Sequence, residues 1–267
     1  MQLTKHHGLG NDFLVLLDTA GTHPVGPDDA VALCDRHTGI GADGLLRAAP
    51  GTGGADVTME LFNADGSVAE MSGNGIRCLA QAVFQSGYAS PPVLHVATDA
   101  GPRTVRVLPG GADAATHRMS VEMGQAKVVG AAPEWTQGDV VRAARVDVGN
   151  PHVVLHWAGA ELPGTDELVA LGARIDGTTP GGANVEVILA GADPEEIDMV
   201  VYERGVGPTQ ACGTGACAVA AAAHEWDLCG PTPTVHMPGG AVEVTLGDPV
   251  LLTGDVTSVA IIDTPWP

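Results

Sequence analysis

Two short glycine-flanked segments carry the residues of this chain that are best suited to chemistry. Ser72 precedes Gly73-Asn74-Gly75, and Cys212 precedes Gly213-Thr214-Gly215. Each segment runs into a pattern that predicts a helix, so each small side chain is expected at a helix N-terminus. The N–H groups exposed there can hold an anion and lower the pKa of a nearby thiol. We therefore expect Cys212 to act as a base or nucleophile, and a carboxylate to bind at the two turns.

The spacing between these segments recurs along the chain. Three further pairs of segments match at nearly the same offset: Gly10-Asn11 with Gly149-Asn150, Gly41-Ala42-Asp43 with Gly182-Ala183-Asn184, and Leu61-Phe62-Asn63 with Val201-Tyr202-Glu203. A duplicated domain is the simplest explanation. We expect an N-terminal half of residues 1–115 plus 257–267 and a C-terminal half of residues 116–256, linked through the Gly-rich stretch 109–116.

The elements that must position these residues are mostly short β-branched runs separated by turns. The first two predicted strands along the chain are 13–17 and 57–62, and the next is 93–97. Runs at 250–252 and 256–262 predict two strands near the end of the chain, the second returning to the first half. Four segments have helical periodicity: 28–34, 75–85, 166–172 and 215–228. The pattern predicts an α+β protein of two similar halves.

Charge and hydropathy exclude several classes of function. The formal net charge is −20 with only 12 Lys and Arg, which argues against nucleic acid and anionic membrane surfaces as partners. The N-terminus lacks a signal-peptide pattern, and no apolar stretch is long enough to cross a bilayer. We expect a cytoplasmic protein that acts on a small molecule.

No metal or cofactor site is visible in the sequence. The five Cys are odd in number and lack paired spacing, and the ten His are dispersed, so neither a disulfide framework nor a metal site is expected. No Lys stands in a Schiff-base motif, and no phosphate-binding pattern for pyridoxal phosphate is present. If the two halves face each other across a cleft, Cys212 and Ser72 would approach the α-carbon of an amino acid from opposite faces. One would remove the proton while the other donates one, without a cofactor.

Six motifs together resemble those of the diaminopimelate epimerases, along essentially the full length of the chain. They are His7-Gly8-Leu9-Gly10-Asn11-Asp12-Phe13, Phe62-Asn63-Ala64-Asp65-Gly66-Ser67, Gly73-Asn74-Gly75-Ile76-Arg77, Gly149-Asn150-Pro151-His152, Asn184-Val185-Glu186, and Tyr202-Glu203-Arg204-Gly205 leading to Ala211-Cys212-Gly213-Thr214-Gly215-Ala216. The resemblance implies two pseudo-symmetric domains, each a barrel-like sheet around a central helix, and a homodimer. It implies an isomerase that converts LL- into meso-diaminopimelate for lysine and peptidoglycan synthesis.

The resemblance also assigns roles to residues. It implies that Cys212 and Ser72 are the catalytic pair, with His152 and Glu203 tuning proton transfer. The substrate-binding residues that it implies are Asn11, Asn63, Gly73, Asn74, Asn150, Asn184, Glu203, Arg204, Gly213 and Thr214. Of these, Arg204 can bind the distal carboxylate of the substrate in a bidentate fork.

The chain departs from the family pattern at its first catalytic position. Ser72 stands where the family has a second cysteine, and a hydroxyl is a far weaker acid than a thiol. Gly44 and Pro208 replace residues that are often Gln and Glu in relatives. Three functions fit these observations: an epimerase that uses a Ser/Cys pair, a racemase or dehydratase for another amino acid, and a non-catalytic amino-acid-binding homologue.

Overall fold

The computed structural model describes residues 1–191 and 193–266 and divides into two compact units. Unit 1 comprises Met1–Glu122 and Gly254–Pro267, and unit 2 comprises Met123–Thr253. The final residue of the expected N-terminal half, Pro267, lies outside the described residues, as does Ala192 of the expected C-terminal half.

The elements follow in this order along the chain. The first part contains β1 (Gln2–Gly8), β2 (Asn11–Leu17), α1 (Pro27–Cys34), β3 (Gly44–Pro50), β4 (Val57–Asn63), α2 (Gly73–Gln85), β5 (Val93–Ala97), β6 (Arg103–Leu108) and β7 (Thr116–Gly124). The second part contains β8 (Lys127–Ala131), a short 3-10 helix (Pro133–Trp135), β9 (Val140–Asp147), β10 (Pro151–Trp157), α3 (Thr165–Thr178), β11 (Asn184–Ala190), β12 (Glu196–Glu203), β13 (Gly207–Thr209), α4 (Gly213–Glu225), β14 (Thr234–Met237), β15 (Gly240–Thr245) and β16 (Val250–Asp263).

The chain passes between the units inside two strands. It leaves unit 1 within β7 and returns within β16. The Gly-rich stretch 109–116, expected as the link, is instead the turn of a hairpin inside unit 1, because β6 and β7 pair across it from Leu108 and Arg118. The strands expected at 250–252 and 256–262 form one continuous strand.

Unit 1 is built on a closed ring of eight strands. Each strand from β1 to β7 pairs with the next, β16 lies beside β7, and β16 pairs back with β1. The ring leaves no open edge, which removes the usual route to edge-to-edge association. The return of the last strand to the first half is therefore confirmed.

Unit 2 repeats the strand orientations of unit 1. From β1 to β6 the successive pairs are antiparallel, parallel, antiparallel, parallel and antiparallel. The pairs β9–β10, β10–β11, β11–β12, β12–β14 and β14–β15 follow the same alternation. The predicted α+β fold with two pseudo-symmetric halves is confirmed.

Each unit contains one helix that is buried on all sides. In α2 every residue from Gly73 to Val83 is buried, and in α4 nearly all residues up to Ala223 are buried. The Ala-rich sequence of α4 meets this burial with small apolar side chains, whereas α2 also buries the polar residues Asn74, Arg77 and Gln81, which are hydrogen-bonded. The expected central helix is therefore present in both units.

All four helices begin one or two residues earlier than predicted, and two of them end at other residues than predicted. Helix α3 continues past Gly172 because this glycine permits close packing: a Cβ atom there would lie 2.2 Å from the Tyr202 ring. Helix α4 ends at Glu225, before the predicted Leu228, and Asp227 adopts a φ of 59°, a left-handed conformation that stops a helix. Every helix in the described part of the chain falls short of the length and apolar character of a membrane span.

Candidate active site

Ser72 and Cys212 occupy the same structural position in the two units. Each is the N-cap of its central helix in extended backbone conformation, with φ −141° and ψ 123° for Ser72 and φ −129° and ψ 113° for Cys212. Ser72 Oγ accepts a hydrogen bond from Gly75 N at 3.0 Å, and Cys212 Sγ accepts one from Gly215 N at 3.4 Å. Both helices therefore begin in the way that the sequence predicts.

The surroundings of Cys212 keep its thiol protonated in this structure. Burial raises the pKa of Cys212 well above its ordinary value, and the carboxylates of Glu203 and Glu186 raise it further. Hydrogen bonds from Thr214 and from Gly215 N only partly offset this rise. The expectation of a lowered thiol pKa is therefore wrong for this state, because burial and the two nearby carboxylates outweigh the helix N-terminus.

His152 and Glu186 form a buried pair on neighbouring parallel strands. His152 Nδ1 lies 2.7 Å from Glu186 Oε1, and both side chains are completely buried. His152 Nε2 lies 2.9 Å from Asn150 Oδ1. The ring of His152 is thus held at both nitrogen atoms, and Asn150 is held with it.

The end of β12 supplies the charged residues Glu203 and Arg204. Glu203 Oε1 accepts a hydrogen bond from Thr209 Oγ1 at 2.5 Å. The exposed side chain of Arg204 donates to Gly181 O at 3.1 Å, and Arg204 N donates to Asn184 Oδ1 at 3.0 Å. Asn184 thus secures the backbone that carries Arg204.

In unit 1 a chain of hydrogen bonds links Asn74, two residues after Ser72 on helix α2, to Asn11 on β2. Asn74 is buried, and its Nδ2 donates to Asn11 Oδ1 at 3.2 Å. Asn11 Nδ2 donates to Asp43 Oδ2 at 2.9 Å. The buried Arg77 donates to Asn74 Oδ1 at 2.7 Å. Asn11 and Asn74 are therefore fixed relative to the turn that bears Ser72.

Three further positions lie on strands. Asn63 is a predicted substrate-binding residue, and Gly44 and Pro208 are the two smaller departures from the family pattern. Asn63 ends β4 opposite Gly44 and donates to Ser67 Oγ at 2.9 Å. A Cβ atom at Gly44 would lie 2.8 Å from Phe62 O, so a larger residue there requires the neighbouring strand to shift. Pro208 is an exposed residue of the short strand β13.

The predicted site residues fall into two groups, one in each unit. The group in unit 1 contains Ser72, Gly73, Asn74, Asn11 and Asn63. The group in unit 2 contains Cys212, Gly213, Thr214, Asn150, His152, Asn184, Glu203 and Arg204. Sequence reasoning assigned no role to Glu186, although a carboxylate inside the apolar strand β11 is itself a signal. Among the described residues, no cluster of His, Cys, Asp and Glu is arranged to hold a metal ion.

The comparisons with known sequences all indicate the same family. The family model "Diaminopimelate epimerase" matches residues 3–129 and 144–259. The diaminopimelate epimerase of Cyanothece sp. is 38% identical over 97% of this chain and 98% of its own length. That of Mycolicibacterium smegmatis is 40% identical over 92% of this chain and 90% of its own length.

Solved structures agree on the fold. A probable proline racemase from Agrobacterium radiobacter has a TM-score of 0.76 and 18% identity, covering 100% of this chain and 93% of its own. A predicted epimerase from Pseudomonas aeruginosa has a TM-score of 0.74 and 16% identity, covering 100% and 99%. At this identity the likeness concerns the fold alone. The family model and the two relatives match most of the chain, and the Ser72 and Cys212 turns and the duplicated fold agree with that match. The chain therefore belongs to the diaminopimelate epimerase family.

Proposed function

We propose that this protein is a cofactor-independent epimerase that converts LL-diaminopimelate into meso-diaminopimelate, in the biosynthesis of lysine and peptidoglycan. The observation that carries the proposal is Cys212, a buried thiol at the N-terminus of helix α4, in a chain whose relatives are named diaminopimelate epimerase. His152, Asn150 and Glu203 in the same unit are the polar groups available to assist it.

Cys212 acts in this proposal as one of two groups that exchange a proton with the α-carbon. The thiol is protonated in the free protein because burial, and then the nearby carboxylates of Glu203 and Glu186, raise its pKa. When the α-ammonium group of the substrate binds beside Glu203, its positive charge offsets the carboxylate, and thiolate formation costs less free energy. The thiol releases its proton to solvent, and the resulting thiolate then takes the α-proton, so that the C–H bond breaks and an S–H bond forms.

Ser72 supplies the proton on the other face. Its hydroxyl donates to the α-carbon, and the resulting alkoxide recovers a proton from water or a neighbouring group. The N–H groups at the start of α2 and α4, including those of Gly73, Asn74, Gly213 and Thr214, stabilise the negative charge that develops on the carboxylate during deprotonation.

The far end of the substrate requires a separate group. Diaminopimelate carries a second amino-acid group, and we assign its carboxylate to Arg204, whose exposed guanidinium is held by Gly181 O. The amide side chains of Asn11, Asn63, Asn150 and Asn184 complete the proposed binding set. We further propose that the protein is cytoplasmic, and that it is a homodimer, as the family resemblance implies. Light scattering of the purified protein tests the dimer.

The deciding experiment is incubation with LL-diaminopimelate followed by chiral separation of the isomers. We expect meso-diaminopimelate to accumulate, with little turnover of lysine, which lacks the distal carboxylate. Cys212→Ala should abolish the reaction, because the variant has no thiol to accept the proton.

Cys217→Ala is the matched control, since Cys217 is a fully buried cysteine of the same helix with no proposed part in proton transfer. Equal loss of activity in both variants would assign the effect to helix packing. Binding of LL-diaminopimelate without any epimerisation by the wild-type protein would identify a non-catalytic homologue and reject the proposal.

A further inference from the structure

Arg77 is the largest of the completely buried side chains among the described residues, and no step of the proposed proton transfer uses it. It lies in the second turn of helix α2. Burying a charged group is unfavourable unless hydrogen bonds and other charges compensate the loss of water. The contacts of the guanidinium show where this charge acts.

The guanidinium of Arg77 folds back onto the first turn of its own helix. Side chains on a helix point towards its N-terminus, so Arg77 Nη1 donates to Gly73 O at 3.0 Å and Nη2 donates to Asn74 Oδ1 at 2.7 Å. Gly73 directly follows Ser72 in the chain. The positive charge of Arg77 is thus fixed beside the turn that bears the Ser72 hydroxyl.

Strand β1 packs closely against this contact. A Cβ atom at Gly8 would lie 3.1 Å from Arg77 Nη2 and 3.2 Å from Asn74 Oδ1, which is closer than ordinary van der Waals contact. Asn74 in turn donates through Nδ2 to Asn11 Oδ1 at 3.2 Å. Arg77 therefore holds two of the residues assigned to substrate binding, Asn74 directly and Asn11 through Asn74.

The charge of Arg77 acts on a neighbouring group of the helix. Burial raises the pKa of the adjacent Cys78 to about 12, and Arg77 lowers it by more than Asp12 raises it. Asp12 is itself bound by Lys5 at 2.9 Å and by Arg36 at 2.6 Å. Arg77 therefore favours a negative charge on groups at the start of α2.

The equivalent position in unit 2 holds Cys217. Both central helices have 13 residues and begin after the N-caps Ser72 and Cys212, so Arg77 corresponds to Cys217, which is also completely buried. The shared fold accepts a small uncharged side chain here, so helix packing alone does not require an arginine. Burial and two carboxylates raise the pKa of Cys212, whereas a cation lies behind Ser72.

We propose that Arg77 is a positioning residue for Ser72: its guanidinium fixes the first turn of α2 and supplies the positive charge that stabilises an alkoxide at Ser72 Oγ. When Ser72 donates its proton to the α-carbon, the O–H bond breaks, a C–H bond forms, and the negative charge moves from the carbon to Oγ. Arg77 keeps all its protons during this step. The cation thereby offsets part of the weak acidity of the hydroxyl.

The kinetic test rests on the proposed epimerase function. Arg77→Met keeps most of the length of the side chain and removes its charge. We expect kcat to fall at least tenfold, because the charge acts on the proton-transfer step. Solvent deuterium exchange should slow more for the isomer whose α-hydrogen is removed by Ser72 than for the isomer whose α-hydrogen is removed by Cys212. Arg77→Lys keeps the charge but loses the fork, so its kcat should lie between those of wild type and Arg77→Met.

Arg47→Met is the matched control. Arg47 is a buried arginine of the same unit, and its partners are Asp18 and Glu60 rather than the turn of Ser72. A general loss of stability should therefore appear in both variants and slow the exchange of both isomers alike. Selective slowing of the Ser72 isomer should appear only in Arg77→Met.

A thiol introduced by Ser72→Cys reports the same charge without turnover. Peptide mass spectrometry should show that iodoacetamide alkylates it with an onset at lower pH than in the unfolded chain. Adding Arg77→Met should raise this onset by about one pH unit or more, because a positive charge that favours the thiolate is lost. Arg77→Gln keeps an N–H donor for Gly73 O without the charge, and it replaces Arg77→Met if that variant fails to fold.

The outcomes distinguish this inference from the proposed function. If the wild-type protein shows no epimerisation but removal of the charge raises the alkylation onset in Ser72→Cys, the proposed function fails and the role of Arg77 stands. If the onset is the same with and without the charge, or both isomers slow equally in Arg77→Met, Arg77 only packs the helix and the inference is wrong. An onset in Ser72→Cys that is no lower than in the unfolded chain also rejects it, without any change at Arg77.

Discussion

At the scale of single residues, Cys212 shows how two opposing electrostatic effects are resolved. The N-terminus of α4 provides an N–H donor at 3.4 Å from Sγ, and a helix terminus contributes typically up to about 1 kcal/mol. Burial and two carboxylates act in the opposite direction and dominate. The thiol is therefore held in its protonated form in this structure.

Alkylation of Cys212 tests this balance directly. Because its pKa is raised, the rate with iodoacetamide at neutral pH should be lower than for the same cysteine in the unfolded chain. Glu203→Gln removes one of the charges that raise the pKa, so the onset of alkylation should move to lower pH. Peptide mass spectrometry distinguishes Cys212 from the other cysteines. An unchanged pH profile in Glu203→Gln would show that Glu203 does not act on the thiol.

At the scale of elements, buried polar residues tie neighbouring strands together. Asp18 follows β2 and bonds Arg47 of β3 through Oδ2 at 2.6 Å, and Arg47 bonds Glu60 of β4 at 2.9 Å. Asp18 also accepts backbone N–H groups of Thr22 and His23. Burial raises the pKa of Asp18, but these hydrogen bonds outweigh it and lower the pKa to about 2. The carboxylate thus joins a loop to two strands of the ring.

Replacing Asp18 by Asn should destabilise the protein by about 3 kcal/mol, because it leaves a buried guanidinium with one partner fewer. A carboxylate whose pKa is lowered by folding contributes its full stabilisation at pH values above its ordinary pKa. This stabilisation is lost as the pH falls through the lower pKa of the folded state. The difference in unfolding free energy between wild type and Asp18→Asn should therefore shrink from about pH 4 to about pH 2. Urea unfolding measures it, with the exposed Glu161→Gln as control. A difference independent of pH would exclude the ion pair as its source.

The same contacts explain which elements could be predicted. Apolar alternation was sufficient for β5, which was predicted at its observed bounds. Strands β1 and β3 were not predicted because they carry His6 and Arg47 in buried positions. These side chains are satisfied by Gln81 and Asp18, partners that periodicity does not reveal. The turns of Ser72 and Cys212 could be predicted because their signals are local in the sequence. The effect of Glu186 on the pKa of Cys212 could not, because it depends on residues that are distant in the sequence.

At the scale of the whole molecule, duplication has produced two similar frameworks with unlike chemistry. The strand orientations and the two N-caps repeat. The residues around them differ: unit 2 has a thiol with a His–Glu pair, whereas unit 1 has a hydroxyl. An epimerase built this way has two proton-transfer groups of unequal acidity, so its two half-reactions should have unequal barriers.

Solvent deuterium exchange tests this asymmetry. The isomer whose α-hydrogen is removed by Cys212 should exchange readily in deuterated water, whereas the isomer that relies on Ser72 should exchange slowly. The equilibrium between the isomers cannot change. Ser72→Cys should raise turnover in both directions, by more than tenfold if the hydroxyl raises the barrier by over about 1.4 kcal/mol. Ser72→Ala is the control, since it removes the hydroxyl together with the N-cap bond to Gly75. Full activity in Ser72→Ala, or matched exchange of both isomers with no gain in Ser72→Cys, would place the second proton-transfer group elsewhere in the molecule.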